Sequence, residues 1–209
     1  MENLLINYQT GILFLISYLL GSIPFGYLIF KLKNNNDIRN YGSGNIGATN
    51  VNRLLGKKLG FLTLLLDFCK TFIVSYIFFK YFGSDVGSIC GIFSIIGHIF
   101  PLWLNFKGGK GVASFLGLLS IVSWPLSIAF CLIWTISVKI FKYSGAGAII
   151  AIIVNILTFK LILHIQFNYK ILYWVPGTYF EYNVILFLSA IILVKHYKNF
   201  NMLSIHTEQ

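Results

Sequence analysis

Long apolar runs separated by short polar segments make up most of this chain. A helix needs about 20 apolar residues to cross the hydrocarbon core of a membrane. Four runs have roughly that length, namely 10–30, 59–80, 86–104 and 144–164. A fifth run, 181–194, is shorter and lengthens when Tyr179 and Phe180 are included. The pattern predicts an all-α integral membrane protein.

The stretch 112–138 allows two interpretations. It forms either one long helix kinked at Pro125 or two short helices that turn at Ser123, because residues before a proline disfavour the helical conformation. Seven spans put twelve basic residues on one side: Lys31, Lys33, Arg39, Arg53, Lys57, Lys58, Lys107, Lys110, Lys139, Lys142, Lys195 and Lys198. The other side then holds only Lys80, Lys160 and Lys170, whereas one long helix gives a split of 10 to 5. The positive-inside rule therefore favours two helices.

We expect seven transmembrane helices, two of them short (near 112–122 and 126–138), with the N-terminus outside and the C-terminus in the cytoplasm. The short pair has to tilt, thin the membrane or pack against longer neighbours. Four polar segments then share the cytoplasmic face, namely 31–58, 105–111, 139–143 and 195–209. Since so little chain lies between the spans, residues 1–209 are expected to form one polytopic domain.

Composition excludes a soluble enzyme and a disordered chain. Hydrophobic residues make up 57% of the 209 residues and charged residues 11%, against about 25% charged in a typical soluble domain. One globular core could not bury so much apolar surface, and disorder requires low hydrophobicity. The net charge of +10 lies mostly between apolar runs. Basic residues in such positions set the topology, contact anionic lipid or bind an anionic substrate. A nucleic-acid partner is therefore not expected.

The sequence shows no recognisable motif for a metal site, a disulfide framework or a cleaved signal peptide. Cys69, Cys90 and Cys131 lie in apolar runs without a CxxC pair, and the four histidines lack HExxH spacing. We therefore expect no metal and no cofactor. The first basic residue is Lys31, so a cleaved signal peptide is not expected.

The first candidate anion site is the polar segment 37–53, DIRNYGSGNIGATNVNR. Gly42, Gly44 and Gly47 match GxGxxG, but a dinucleotide site requires a preceding strand, and membrane helices are predicted on both flanks. A loop of Gly, Ser, Asn and Thr exposes backbone N–H groups that can hold an anion near the two arginines. A flexible turn is an equally good interpretation of its composition.

The second candidate is the segment 97–112, which contains Gly-Gly-Lys-Gly at 108–111. It is not a Walker A loop, because no Ser or Thr follows Lys110. Backbone donors and one ammonium at the start of the next helix suit a phosphate. The alternative is a tight turn that enters a helix.

Two further pairs are candidates. Asp67 and Lys70 lie three residues apart inside a span and form either a functional or a structural ion pair. His196 and Asn199 follow the last span, where histidine can act as a base or an oxyanion donor, or both can be interfacial anchors. His98, near a helix end, is expected to be structural.

These segments together resemble the PlsY family, the bacterial membrane acyl-phosphate:glycerol-3-phosphate acyltransferases. The family's first motif, D-[IV]-R-x-x-G-S-G-N-x-G-A-T-N-x-x-R, is matched from Asp37 to Arg53. The second, G-H-x-x-P-x-x-x-x-F-x-G-G-K-G-V-A, is matched from Gly97 to Ala113. The tail retains the third motif's residues His196, Asn199, Leu203 and Glu208.

The chain departs from the family pattern at a few positions. In the tail, Phe200, Met202 and His206 replace the expected Ile, Arg and Gly. A fourth pattern, [RK]-Y-x-S-x-x-S, aligns with residues 142–148. Its serine positions hold Gly145 and Ala148, and Ser144 lies one residue early.

The resemblance implies acyl transfer from acyl phosphate to the 1-hydroxyl of glycerol 3-phosphate, the first step of phospholipid synthesis. It implies a monomer in the bacterial inner membrane with its active face toward the cytoplasm and membrane lipid as a partner. The implied catalytic residues are Ser43, Arg53, Lys110, His196 and Asn199. The implied substrate contacts are Gly44, Asn45, Gly47, Thr49, Asn50, Gly108, Gly109 and Gly111. Ser144, Glu208 and Asp67 are additional candidates.

A transporter or channel for a phosphorylated small molecule is the rival interpretation. It predicts functional charges near the membrane midplane, where this sequence offers only Asp67 and Lys70. Most polar residues instead lie on one predicted face, which favours an enzyme.

Overall fold

The computed structural model describes residues 8–197, which form nine α-helices and two 3₁₀ turns without a β-strand. Asn199 and Glu208 lie outside these residues. The helices are α1 (Tyr8–Gly21), α2 (Phe25–Asn34), α3 (Ala48–Leu55), α4 (Lys57–Phe82), α5 (Ser84–Ile99), α6 (Val112–Val122), α7 (Trp124–Phe141), α8 (Ser144–Tyr169) and α9 (Tyr179–Lys195). The 3₁₀ turns are Ile38–Asn40 and Leu102–Leu104.

Within residues 8–197, five helical stretches are long and apolar enough to cross a membrane, namely Thr10–Asn34, Lys57–Phe82, Ser84–Leu104, Trp124–Phe141 and Ser144–Tyr169. Large apolar side chains such as Phe61, Leu132 and Leu157 are exposed on them, as contact with lipid requires. The prediction of an all-α membrane protein is therefore confirmed. Because α6 and α9 have only 11 and 17 residues, the count of seven crossings stays a prediction.

The chain divides into two compact units, Met1–Leu118 and Leu119–Gln209. In the first, α5 packs against α1 and α4, and α3 packs against α4. Glycines permit the close approach of α1 and α5, because a Cβ at Gly21 or Gly97 would collide with backbone of the other helix. In the second unit, α8 packs against α7 and α9.

The apolar run 10–30 is two helices, which corrects the expectation of one. α1 ends at Gly21 and α2 begins at Phe25. Pro24 has no N–H and disfavours a helical conformation at Ile23, so the helix cannot continue through this point. The break leaves the carbonyl of Ile23 outside the regular helical pattern.

The stretch 112–138 contains two helices separated by Ser123, whose backbone is extended (φ −157°, ψ 93°). Pro125 lies in the first turn of α7, where proline is tolerated. The expectation that both helices are short was wrong for α7, which has 18 residues. It starts at Trp124 and continues to Phe141, because the chain reverses only at Lys142, in a left-handed conformation (φ 55°).

Candidate active site

The first anion-binding candidate begins with an Asp–Arg pair. Asp37 caps the turn Ile38–Asn40 by accepting a hydrogen bond from the Arg39 N–H at 2.9 Å. The Arg39 guanidinium lies 2.6 Å from the Asp37 carboxylate, and Nη1 donates to the Leu104 carbonyl at 3.2 Å. The side-chain hydrogen bonds between Asp37 and Arg39 lower the pKa of Asp37 and raise the pKa of Arg39. The pair therefore ties the first loop to the second segment.

The buried amide of Asn50 shapes the glycine-rich loop 41–47. Asn50 is 1% exposed. Its Oδ1 accepts from the Ser43 N–H at 2.9 Å, and its Nδ2 donates to the carbonyls of Tyr41 and Asn45 at 3.0 and 2.9 Å. Gly42 has φ +59°, and a Cβ there would collide with Asn50 Oδ1. This bracing role was missed in the sequence, and a substrate contact by Asn50 stays a prediction.

Replacing Asn50 with alanine is expected to destabilise the protein by about 1–3 kcal/mol, because three backbone groups lose a buried partner. Thermal unfolding of the detergent-purified protein measures this. Asn52→Ala is the matched control, since Asn52 is exposed on the same helix, α3. Equal unfolding temperatures for the two variants would contradict the bracing role.

The other predicted site residues of this segment are exposed or half-buried. Ser43, Gly44, Thr49 and Arg53 are exposed, while Asn45 and Gly47 are half-buried. Within the described part of the chain, no hydrogen bond or ion pair involves the Arg53 guanidinium. Gly47 is the N-cap of α3, so the positive end of that helix faces the loop. The loop thus offers backbone donors and one available guanidinium to an anion.

The two candidate segments pack against each other. Leu104, at the end of the turn Leu102–Leu104, is buried in one apolar cluster with Phe30, Ile38, Ile46 and Val51. The Arg39–Leu104 hydrogen bond lies at the same place. Both segments are therefore held at one location within the first unit.

The second segment folds back on the end of α5. Positive φ angles at Asn105 and Phe106 (52° and 60°) reverse the chain. The N–H groups of Gly108 and Gly109 then donate to the carbonyls of Ile99 and His98, at 3.2 and 3.1 Å. The bonds to Ile99 and His98 fix the position of the Gly-Gly-Lys-Gly run at the start of α6.

Lys110, within this run, is half-buried. Burial lowers its pKa from the ordinary value. No hydrogen bond or ion pair to the ammonium occurs among residues 8–197. A partly desolvated cation without a carboxylate, close to a helix N-terminus, suits a phosphate.

A buried polar cluster lies behind the second segment. Lys70 Nζ lies 2.8 Å from Asp67 Oδ1 and 2.9 Å from His98 Nδ1. All three side chains are nearly inaccessible, at 2%, 8% and 4% exposure for Asp67, Lys70 and His98. The Asp67–Lys70 ion pair that the spacing predicted is therefore present. His98 also contacts Lys70, although from the sequence His98 was expected to be a separate, structural residue.

The second unit holds the remaining described candidates. His196 caps the C-terminus of α9, is 2% exposed, and places Nδ1 2.8 Å from the Ile192 carbonyl. Ser144 begins α8, and its carbonyl accepts a hydrogen bond from the Trp134 indole at 3.3 Å. Gly145 and Ala148, at the family's serine positions, are buried in α8. Among the described residues, no group of three or more His, Cys, Asp or Glu could hold a metal.

Comparisons with known proteins agree with this architecture. A family model for glycerol-3-phosphate acyltransferase matches residues 11–205. A glycerol-3-phosphate acyltransferase from Bartonella henselae is 39% identical over 210 residues, an alignment that covers 98% of this chain and 93% of the relative.

Two solved structures of PlsY (YgiH), an integral membrane glycerol 3-phosphate acyltransferase, share the fold. The glycerol 3-phosphate form has a TM-score of 0.82 and 38% identity, covering 95% of this chain and 93% of that chain. The lysophosphatidic acid form has a TM-score of 0.77, 37% identity and the same coverage, 95% and 93%. By its motifs, its fold and its relatives, the chain belongs to the glycerol-3-phosphate acyltransferase family.

Proposed function

We propose that this protein transfers a fatty acyl group from acyl phosphate to the 1-hydroxyl of glycerol 3-phosphate. The products are lysophosphatidic acid and inorganic phosphate. The observation that carries the proposal is the joining of two anion-binding segments, one with Arg53 and one with Lys110, through Arg39 and Leu104. Both substrates carry a phosphate, so two such segments side by side fit the reaction.

The choice of acyl phosphate as donor has separate support. The other acyltransferase class uses an H-x4-D motif, and no histidine of this chain has Asp five positions later: His98 is followed by Trp103, His164 by Tyr169 and His196 by Asn201. An acyl phosphate is a mixed anhydride with a good leaving group, so strong acid assistance is unnecessary. Holding the two phosphates close together supplies much of the rate.

We assign the residue roles from the matched motifs, in agreement with this chemistry. The glycerol hydroxyl attacks the acyl carbonyl, and the bond from that carbon to the phosphate oxygen breaks. Ser43, Asn45 and Arg53 hold the acyl phosphate and the departing phosphate. Lys110 and the glycines around it hold glycerol 3-phosphate.

An apolar cleft beside the first loop suits the start of the acyl tail. It has a volume of about 400 Å³ and lies between α2 and the turn Leu102–Leu104. Tyr27 lines it, and the charged groups of Lys31 and Arg39 each lie 5.8 Å from the Tyr27 ring centroid. An apolar space next to cations matches a fatty chain that ends in a phosphate.

His196 and Asn199 orient the attacking hydroxyl or stabilise the developing oxyanion. Two routes remain for the hydroxyl proton, because either His196 or a substrate phosphate can accept it. Loss of a general base lowers kcat by about 10²–10⁴-fold. If kcat of the His196→Asn variant stays within a few-fold of the wild-type value, the base role is excluded.

The affinity for glycerol 3-phosphate is expected to fall at alkaline pH. Loss of the Lys110 proton removes the charge that attracts the phosphate, so KM rises as pH passes through the pKa of Lys110. Since burial lowers that pKa, the rise begins at lower pH than for an exposed lysine. Measuring kcat/KM from about pH 7 to 10 shows the effect. The control is Lys110→Arg, whose guanidinium stays charged, and an unchanged alkaline limb in this variant would contradict the assignment.

The proposed topology has seven crossings, with the N-terminus outside and the C-terminus in the cytoplasm of the bacterial inner membrane. We further propose that residues 1–209 act as a single monomeric domain with the active face toward the cytoplasm. Cysteines placed at Trp124 and Ile140, in a background without the native cysteines, test this with an impermeant thiol reagent. The proposal requires labelling of position 124 from outside and of position 140 from the cytoplasm.

The primary test of function is phosphate release from palmitoyl phosphate by the purified protein in detergent. Release that depends on glycerol 3-phosphate, with formation of lysophosphatidic acid, supports the proposal. A folded preparation without release would contradict it and would favour transport of a phosphorylated molecule.

A further inference from the structure

The Lys70 ammonium has three acceptors in the interior of the first unit. It lies 2.9 Å from the Ile23 carbonyl, 2.8 Å from Asp67 Oδ1 and 2.9 Å from His98 Nδ1. An ammonium has three N–H donors and no acceptor. The contacts with Ile23 and His98 are hydrogen bonds, and the contact with Asp67 is an ion pair. Because an ammonium cannot accept a hydrogen bond, the one to His98 runs from Lys70 to the ring.

This direction determines which nitrogen of His98 carries the proton. A ring nitrogen that accepts from Lys70 is unprotonated, so the ring is neutral with its proton on Nε2. Asp67 Oδ1 lies 3.4 Å from His98 Nδ1, which is farther than the 2.9 Å between Lys70 Nζ and His98 Nδ1. The nearer neighbour of Asp67 Oδ1 is Lys70 Nζ, at 2.8 Å. The Asp67–Lys70 pair thus selects the tautomer of His98.

The protonated nitrogen faces the phosphate-binding segment. A Cβ built on Gly109 would collide with His98 Nε2, so the Gly109 backbone packs directly on that edge of the ring. His98 is 4% exposed. In residues 8–197, Nε2 has no hydrogen-bond partner.

We propose that Asp67 and Lys70 are positioning residues that hold His98 as an additional donor for the phosphate of glycerol 3-phosphate. Bound phosphate supplies the acceptor that Nε2–H lacks, next to the Lys110 ammonium. The inference rests on the proposed function, because it assigns glycerol 3-phosphate to the Gly108–Gly111 segment. It adds a buried support whose three residues come from two transmembrane helices, α4 and α5.

The kinetic test uses the double variant Asp67→Asn/Lys70→Met, which removes both charges and so leaves neither one buried alone. Its matched control is Thr71→Val/Ser94→Ala, which removes a buried hydrogen bond of 2.8 Å between the same two helices. We expect KM for glycerol 3-phosphate to rise at least tenfold in the Asp67/Lys70 variant. KM for palmitoyl phosphate should stay within twofold, and both constants should stay within twofold in the control. Equal KM values for glycerol 3-phosphate in the two variants would overturn the proposal.

A spectroscopic test does not require turnover. Nitrogen-15 NMR of histidine-labelled protein, with His98→Asn to assign the signal, reports the tautomer directly. The wild type should show Nε2–H alone, with a shift of Nε2 on addition of glycerol 3-phosphate, and the Asp67/Lys70 variant should show both tautomers. A wild-type signal from Nδ1–H, or no response to glycerol 3-phosphate, would overturn the proposal. If the Nε2 signal of His98 shifts with glycerol 3-phosphate while the protein releases no phosphate from palmitoyl phosphate, the proposed reaction is contradicted but the proposed binding site is supported.

Discussion

Replacing Lys110 with alanine is expected to lower kcat/KM for glycerol 3-phosphate by about 10²–10³-fold, the loss found when one preorganised charge or donor is removed from an active site. Lys110 is half-buried, and in the described part of the chain no carboxylate neutralises it. Its charge is therefore available to the phosphate of the substrate. Initial rates of phosphate release at varied glycerol 3-phosphate measure the change.

Lys107 provides the matched control for this experiment. It lies three positions earlier in the same segment and is exposed, so Lys107→Ala is expected to keep kcat/KM within about twofold, as exposed charges contribute little. Equal losses in the two variants would mean that only the general positive charge of the loop matters. A Lys110→Ala enzyme with wild-type kinetics would remove Lys110 from the site.

Replacing Gly108 with alanine is expected to lower kcat/KM for glycerol 3-phosphate by about 10²-fold, the effect of misplacing a substrate by roughly 1 Å. A Cβ at this position would collide with the His98 carbonyl and with the Pro101 ring, and would lie 2.8 Å from the Ile99 carbonyl. Because backbone atoms cannot move aside as a flexible side chain does, the whole segment has to shift. The shift would carry Lys110 with it.

The control for this glycine is Gly11→Ala, in α1. A Cβ at Gly11 has no other atom within 4 Å, so the kinetics should stay at the wild-type level. Thermal unfolding of both variants separates misplacement of the segment from loss of fold. A Gly108→Ala enzyme with normal KM for glycerol 3-phosphate would show that the tight turn does not shape the binding site.

The helices were largely predictable because their signals are local. The 26-residue helices α4 and α8 contain the predicted runs 59–80 and 144–164. α9 starts at Tyr179 because Thr178 and Glu181 form a capping box, a pattern that sequence alone shows. The two-helix interpretation of 112–138 came from charge counting and Pro125, and it is confirmed as secondary structure.

The contacts within the candidate site were not predictable, because they join residues distant in the chain. Lys70 and His98 are 28 residues apart, and only the packing of α4 on α5 brings them together. Nothing near His98 in the sequence indicates an ammonium partner, so it was expected to be a structural residue. Asn50 differs from His98, because the motif does mark it as a candidate site residue. The motif does not show, however, that the Asn50 amide makes its hydrogen bonds within the loop.

The break between α1 and α2 has a consequence for the order in which the protein is made. The Ile23 carbonyl accepts a short-range bond from the Phe25 N–H at 3.2 Å and a second from Lys70, which lies 47 residues later in the chain. Irregular backbone within a membrane is tolerated only where other groups satisfy it, and a lysine there requires polar partners. The nascent chain therefore carries the broken first helix before its cation has been synthesised. We expect insertion of α4 to supply that cation to the helix break, and insertion of α5 to add His98, the remaining partner of Lys70, so that α1 to α5 are completed as one unit of membrane assembly.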